Sequence, residues 1–309
     1  MLADIIRIGT RGSPLALAQA QEVRARLMAA SGRPEGAYAI VVIRTSGDRI
    51  QDRPLAEAGG KGLFTKEIEE ALIAREVDLA VHSMKDMQTV LPEGLIVGAT
   101  LPREDVRDAF ISLKYASLGE LPSGAIVGTS SLRRHAQVKH LRPDIRIVPF
   151  RGNVQTRLKK LEDGAADATF LACAGLKRLG LADRITSPVP VESMLPAVAQ
   201  GTIAIEIRSD DAATARIIAP LDHEPTRIAA TAERAFLARL QGSCRTPIAG
   251  LGVVNGAELT FRGMVFSPDG QRFLAAQSTG PAQRAAALGD EAAVDILGRG
   301  AAQMLAGKH

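Results

Sequence analysis

A strand, a Gly-Thr turn and a serine that opens a helix occur twice in this chain, and that recurrence restricts the fold more than any other feature. Residues 5–8 read as a strand and Gly9-Thr-Arg-Gly-Ser-Pro14 as the turn. Ser13 is placed to cap a helix, Pro14 suits its first position, and Ala16, Ala20, Val23 and Leu27 follow at helical spacing. Ile126-Val-Gly-Thr-Ser-Ser-Leu-Arg-Arg134 repeats that outline. Each copy makes a helix start whose backbone N–H groups lack internal partners, an arrangement that attracts anions. Strands alternating with helices in this way predict α/β lobes built on doubly wound sheets, and two such lobes facing one another would form a cleft.

The rest of the chain extends the pattern. Further strands are expected at residues 38–43, 77–81, 95–99, 145–150 and 167–174, with helices over about 65–75, from Val154 and from Gly175. The polar, punctuated stretch Pro102-Arg-Glu-Asp-Val-Arg-Asp108 reads as a domain boundary. Ile203, Ile205 and Ile207 read as a strand that rejoins the first lobe, giving a two-stranded hinge near 99–104 and 200–206. Beyond about Pro220 the character changes to one helix (225–240), three strands (about 248–254, 258–266 and 272–278) joined by Asn255-Gly256 and Ser267-Pro-Asp-Gly270, and a helical tail over 282–305. The expected domains are therefore 1–101 with 202–219, then 106–197, then a small α+β domain at 220–309.

Charged residues gather where these strands end. Polar residues begin abruptly at His82 after the apolar run, which delivers Lys85 and Asp86 to the carboxyl end of a strand, the place where ligands sit in open α/β sheets. A solvated ion pair on a loop is the alternative. Arg11 falls in the first turn, and Ser13 there either caps alone or also meets a ligand. Arg133 and Arg134 occupy a helix first turn, where the macrodipole disfavours cations, so either an anionic ligand offsets the cost or the two side chains splay outward. Arg151 and Arg157 follow the next strand. Cys173, among Leu, Ala and Phe, reads as a buried small hydrophobe; Cys244, on a loop beside Arg245, reads as a reactive thiolate or as an ordinary loop residue. Gly59-Gly-Lys-Gly-Leu-Phe64 has no Ser or Thr after Lys61, which argues against a phosphate-binding P-loop and for a loop carrying one lysine and one aromatic.

Composition excludes several classes. Two cysteines and five scattered histidines give neither a disulfide framework nor a metal-ligand spacing, so no metal is expected. No apolar run is long enough to span a bilayer, and the start lacks the flank and core of a signal peptide, which points to a cytoplasmic protein with no membrane partner. A net charge of +4 and a pI near 9.3 point to anionic partners. With 3% aromatics, no Trp and no Lys/Arg run, nucleic acid is a poor candidate and small polyanions a better one.

Five stretches carry a resemblance to a known family. His82-Ser-Met-Lys-Asp86, Gly128-Thr-Ser-Ser-Leu-Arg-Arg134, Arg151-Gly-Asn-Val-Gln-Thr-Arg157, Leu171-Ala-Cys-Ala-Gly-Leu-Lys-Arg-Leu-Gly180 and the Gly-Ser-Cys244 loop look like porphobilinogen deaminase, also called hydroxymethylbilane synthase. The resemblance runs from Arg7 to about Ser267. It implies a monomeric tetrapyrrole-pathway transferase that joins four porphobilinogen molecules head to tail, releasing ammonia at each addition and finally a linear hydroxymethylbilane. It implies a dipyrromethane primer held covalently by Cys244, a catalytic Asp86, and two lobes like those of periplasmic solute-binding proteins. Carried over by position, Lys85, Thr129, Ser130, Ser131, Arg133, Arg134 and Arg151 would hold the primer, and Arg11, Ser13, Gln19, Phe64, Arg157, Arg178 and Gln200 the incoming substrate. Two stretches depart from the family pattern: Met87-Gln-Thr89 follows Asp86 where Val-Pro is frequent, altering the loop backbone, and Ala199 stands where glycine is common, stiffening a hinge strand. A non-enzymatic solute-binding protein would explain a cleft lined by arginines but not Cys244.

Overall fold

The computed structural model describes residues 5–49, 64–243 and 246–306. Strands run over Ile6–Arg11 (β1), Tyr38–Ile43 (β2), Leu79–Ser83 (β3), Leu95–Thr100 (β4), Asp108–Ile111 (β5), Ile126–Gly128 (β6), Arg146–Val148 (β7), Ala168–Ala172 (β8), Ser187–Pro188 (β9), Ile203–Arg208 (β10), Ile248–Asn255 (β11), Glu258–Phe266 (β12) and Phe273–Pro281 (β13). Helices run over Pro14–Ser31 (α1), Ser46–Arg49 (α2), Lys66–Ile73 (α3), Leu132–Leu141 (α4), Val154–Glu162 (α5), Cys173–Arg178 (α6), Ala212–Ile218 (α7), Glu224–Arg239 (α8), Ala285–Gly298 (α9) and Ala301–Leu305 (α10). The chain groups into two compact units, Met1–Arg103 with Thr202–Arg227, and Glu104–Gly201 with Ile228–His309. Residues 228–309 fall in the same unit as 104–201.

The first unit is a five-stranded sheet in the order β2-β1-β3-β10-β4. β1 pairs in parallel with β2 and β3, while β10 runs antiparallel to both β3 and β4. One face packs on α1, which begins because Ser13 accepts a hydrogen bond from the Ala16 N–H (3.3 Å) with Pro14 at the first helical position. It ends at Gly32, whose φ of 69° lets its N–H reach the Met28 carbonyl. Ala20, Val23 and Leu27 are fully buried there against Ile8, Leu79, Ile203 and Ile205, each large aliphatic worth roughly 1.5–3 kcal/mol. α3 covers the other face through Ile68, Ala71 and Leu72.

The second unit repeats this arrangement of strands: β7-β6-β8-β5-β9, with β6 parallel to β7 and β8 and with β5 antiparallel to β8 and β9. The repetition extends to side chains. Asp78 accepts from the Arg7 N–H and Asp167 from the Ile126 N–H, both at 2.8 Å, so an acid one residue ahead of β3 and of β8 fixes the neighbouring β1 and β6. The short sequence echo is thus one corner of two sheets of the same strand order and direction, whose fourth position is filled from opposite ends of the chain order, by β10 after β4 in the first and by β5 before β6 in the second. A three-stranded antiparallel sheet, β11-β12-β13, packs with α8, α9 and α10 around Phe236, Phe261, Leu288 and Ile296. Its turns use Gly256 and Gly270 at φ of 61° and 76°, a region open to glycine and strained for most other residues.

Two local expectations change. Cys173 is the first residue of α6 rather than part of the preceding strand, and remains fully buried. Ala199 lies in a turn ahead of β10, not in a strand, and takes a φ of 59°. The left-handed backbone that glycine enters without cost is strained here by about 1–2 kcal/mol. It is held in place by burial and by the Ala199 N–H donating to Glu233 (2.5 Å).

Candidate active site

In the first unit the chemistry gathers where β3 ends. Met84–Asp86 form a single 3-10 turn directly after the strand. Its frame is fixed on both sides: Ser83 pairs with Ile203, the Met84 N–H donates to the Thr202 carbonyl (3.0 Å), and the Met84 and Met87 side chains are buried. Lys85 and Asp86 therefore project from a turn anchored by apolar neighbours, and both are half-buried. Gln19, buried on α1, exchanges hydrogen bonds with the Ser83 hydroxyl at 2.8 and 3.1 Å, so its amide supports the strand end. Arg11 is the last residue of β1 rather than part of the turn, and its guanidinium lies 4.3 Å from the centre of the Phe64 ring. Such a cation–π contact is worth about 0.5–2 kcal/mol and orients a guanidinium.

In the second unit Arg133 and Arg134 do not splay outward. Both are buried in the first turn of α4 and share the carboxylate of Asp108, at 2.7 Å each. Arg134 also donates to the Phe170 carbonyl and Arg133 to the Leu195 carbonyl, both at 2.8 Å. Burial alone would push the Asp108 carboxyl up, but the two guanidiniums override it and hold the group well below the usual carboxylate range. The anion that offsets two arginines at a helix N-terminus is thus supplied in part by the chain. The offset is incomplete: two cations share one carboxylate, and Arg133 Nε is buried with no hydrogen-bond partner among the described residues. A residual positive charge and an orphaned donor at a helix start favour a further anion.

The remaining expected residues of this unit lie at strand ends, helix ends and turns. The Thr129 hydroxyl accepts from the Ser131 N–H (3.2 Å), Ser130 accepts from the Phe150 N–H (2.9 Å), and Ser131 caps α4. Gln200 is buried and donates to Asp108 (3.0 Å) and to the Val106 carbonyl (2.8 Å), which joins it to the arginine cluster. Arg151 is half-buried just after β7. Arg157, in the first turn of α5, donates to the Gly152 carbonyl, and Arg178, at the end of α6, to the Gly201 carbonyl. Cys244 and Arg245 lie outside the described residues; their neighbours Ser243 and Thr246 are tied by hydrogen bonds of 3.0 and 2.7 Å. Burial pushes the Cys173 thiol up to about 11, with nearby Asp105 adding to the shift, so it stays protonated and unreactive. Asp108 is the residue that sequence reasoning missed. Its signal was an acid opening the apolar run Asp108-Ala-Phe-Ile, a place where a carboxylate needs a buried cation.

Residues 6–216 match the family model for the porphobilinogen deaminase dipyromethane cofactor binding domain, and residues 227–298 match that for the porphobilinogen deaminase C-terminal domain. The chain is 60% identical over 294 residues to porphobilinogen deaminase of Paracoccus denitrificans (strain Pd 1222), covering 95% of this chain and 94% of that protein. It is 58% identical over 274 residues to the chloroplastic porphobilinogen deaminase of Pisum sativum, covering 87% and 74%. Among solved structures it is similar to the methionine binding protein MetQ, with a TM-score of 0.45 and 13% identity over 70% of this chain and 89% of that one. No described helix is long and apolar enough to cross a membrane. With both family domains matched in order over most of its length, the chain belongs to the porphobilinogen deaminase family.

Proposed function

We propose that the chain condenses four porphobilinogen molecules head to tail onto a dipyrromethane primer attached to Cys244, releasing one ammonia per addition and finally hydroxymethylbilane. The match of both family domains, in order, over residues 6–216 and 227–298 carries this reading. The residues present fit the primer, because a carboxylated pyrrole pair offers the anion that the buried Arg133–Asp108–Arg134 cluster and the orphaned Arg133 Nε lack. When bound, the dipyrromethane supplies the pyrrole carbon to which the first substrate is joined. Lys85, Thr129, Ser130, Ser131, Arg133, Arg134 and Arg151 are assigned to holding it. Arg11, Ser13, Phe64, Arg157 and Arg178 are assigned to the carboxylates and ring of the incoming porphobilinogen, with Gln19 and Gln200 supporting them from buried positions.

Asp86 is the catalytic residue in this reading. Porphobilinogen loses ammonia as its C–N bond breaks, leaving an electron-deficient methylene, and a new C–C bond forms as a pyrrole carbon attacks and then sheds its proton. A carboxylate fixed on the Met84–Asp86 turn stabilises positive charge on the pyrrole nitrogens and passes N–H protons. Anchoring the growing chain keeps one reactant in place between additions. The reading includes a cytoplasmic location, a monomeric state and no nucleic-acid partner. Incubation with porphobilinogen tests it: one ammonia released per substrate consumed is expected, and binding without ammonia release returns the chain to a solute-binding role.

A further inference from the structure

The sheet face that carries α3 holds a group of buried ionisable side chains that the reaction above does not use. Glu69 on α3, His82 on β3 and Glu206 on β10 are 3%, 5% and 0% exposed. His82 Nε2 stands 3.0 Å from the Glu206 carboxylate. Glu69 Oε1 and Glu206 Oε1 are buried with no hydrogen-bond partner among the described residues. Two carboxylates on one buried face with a single imidazole cannot both ionise without leaving net charge buried. A site without net charge therefore keeps at least one of the two carboxyls protonated. Burial pushes the Glu69 carboxyl up, the Thr65 hydroxyl opposes that, Glu206 raises it further, His82 lowers it and Glu70 raises it, and the net direction is upward. The other charged groups on the strands beneath α3 are engaged: Arg208 donates to the Leu72 and Val77 carbonyls and pairs with Asp211, Arg7 pairs with Asp78, and Arg11 lies over Phe64.

α3 begins one residue after Thr65, and Phe64 immediately precedes that residue. The docking of this helix therefore decides where the Phe64 ring stands on Arg11. We propose that Glu69 is a positioning residue whose uncharged form, on the buried sheet face it shares with Glu206 and His82, holds α3 so that Phe64 and Arg11 meet the carboxylates of incoming substrate. This rests on the assignment of Arg11 and Phe64 to substrate. Ionisation of Glu69 places a second anion beside Glu206 in the buried site, and α3 withdraws together with Phe64. Because the folded-state pKa is raised, the stability this group contributes is complete below its unfolded value of about 4.3 and is lost as pH rises through the folded value. Above that value the docked fraction falls about tenfold per pH unit, and KM rises by the same factor while kcat holds.

Glu69→Gln mimics the uncharged form. Steady-state kinetics on the primer-loaded enzyme, stepped upward in pH from the ordinary carboxylate range over the whole range in which the fold persists, should show KM climbing in the wild type and flat in the variant, with matching kcat profiles. Thermal midpoints should diverge in favour of the variant as pH rises. Hydrogen exchange, corrected for intrinsic rates and run without substrate, should show Lys66–Ile73 of the wild type losing protection over the same range. Identical KM profiles in the two proteins, or constant protection of α3, overturns the proposal. If neither protein turns over porphobilinogen, the functional assignment fails while exchange and thermal data still judge Glu69. If the variant does not fold, exchange in the wild type decides alone.

Discussion

Replacing Asp108 with Asn keeps the side chain's size and removes the charge that two buried guanidiniums share. Arg133 and Arg134 each stand 2.7 Å from this carboxylate, and all three side chains are less than a tenth exposed, so solvent cannot screen what remains. Breaking a buried ion pair by removing one partner costs about 3–5 kcal/mol. The Asn oxygen still accepts from Arg134 or Gln200 and recovers about 1 kcal/mol, leaving a net loss of roughly 3 kcal/mol. At about 2–4 °C per kcal/mol for a unit of this size, the midpoint should fall by roughly 10 °C. Urea and thermal unfolding near neutral pH measure this directly. Acid supplies a second reading. Asp108 has a depressed pKa in the folded state, so the stability it contributes is present above its unfolded value near 3.9 and is lost as pH falls toward the folded one. The gap between wild type and variant should therefore narrow in acid. A loss below about 1 kcal/mol at neutral pH, or a gap that stays constant in acid, would refute the view that this carboxylate balances the arginine pair.

Asp86→Asn should fold with an unchanged midpoint and lose nearly all turnover, while Asp86→Glu should keep a small fraction; full activity in the Asn variant in ammonia-release assays would make the carboxylate structural. Gly128→Ala puts a Cβ 2.5 Å from the Phe150 ring, and overpacking of that kind should cost about 1–3 kcal/mol in urea unfolding. An unchanged urea midpoint would show that Phe150 can move aside. Cys173→Ala should retain activity and covalent mass with a modest loss of stability, since its thiol is buried and held protonated; loss of the added mass in this variant would reassign the attachment point.

Much of the fold was legible because its signals are local. Ser13, Ser131 and Asn153 each accept the N-cap hydrogen bond that their positions ahead of an apolar stripe imply. The two turn sequences Asn255-Gly256 and Ser267–Gly270 mark the ends of long antiparallel strands. β5 escaped notice because four residues are too few for a periodicity and its first residue is an acid. The start of α6 was hidden because Ala172 offers no side-chain cap, so the apolar run seemed to continue through Cys173. Lys85 and Asp86 could be placed at a strand end from the abrupt change at His82. The true surroundings of Arg133 and Arg134 could not, because Asp108 is 26 positions from Arg134 in the chain and only the packed sheet brings them together. The same applies to Glu69, His82 and Glu206, which sit on three elements and show no shared spacing in the sequence.

The central claim is a covalent pyrrole primer on Cys244, and intact mass under denaturing, reducing conditions tests it most directly. A thioether survives both treatments, unlike a disulfide or a bound ligand. The purified chain should be heavier than its sequence by one dipyrromethane, Cys244→Ser should show the bare mass and no turnover, and digestion should place the addition on the peptide containing Cys244. A bare wild-type mass together with full ammonia release would contradict the account.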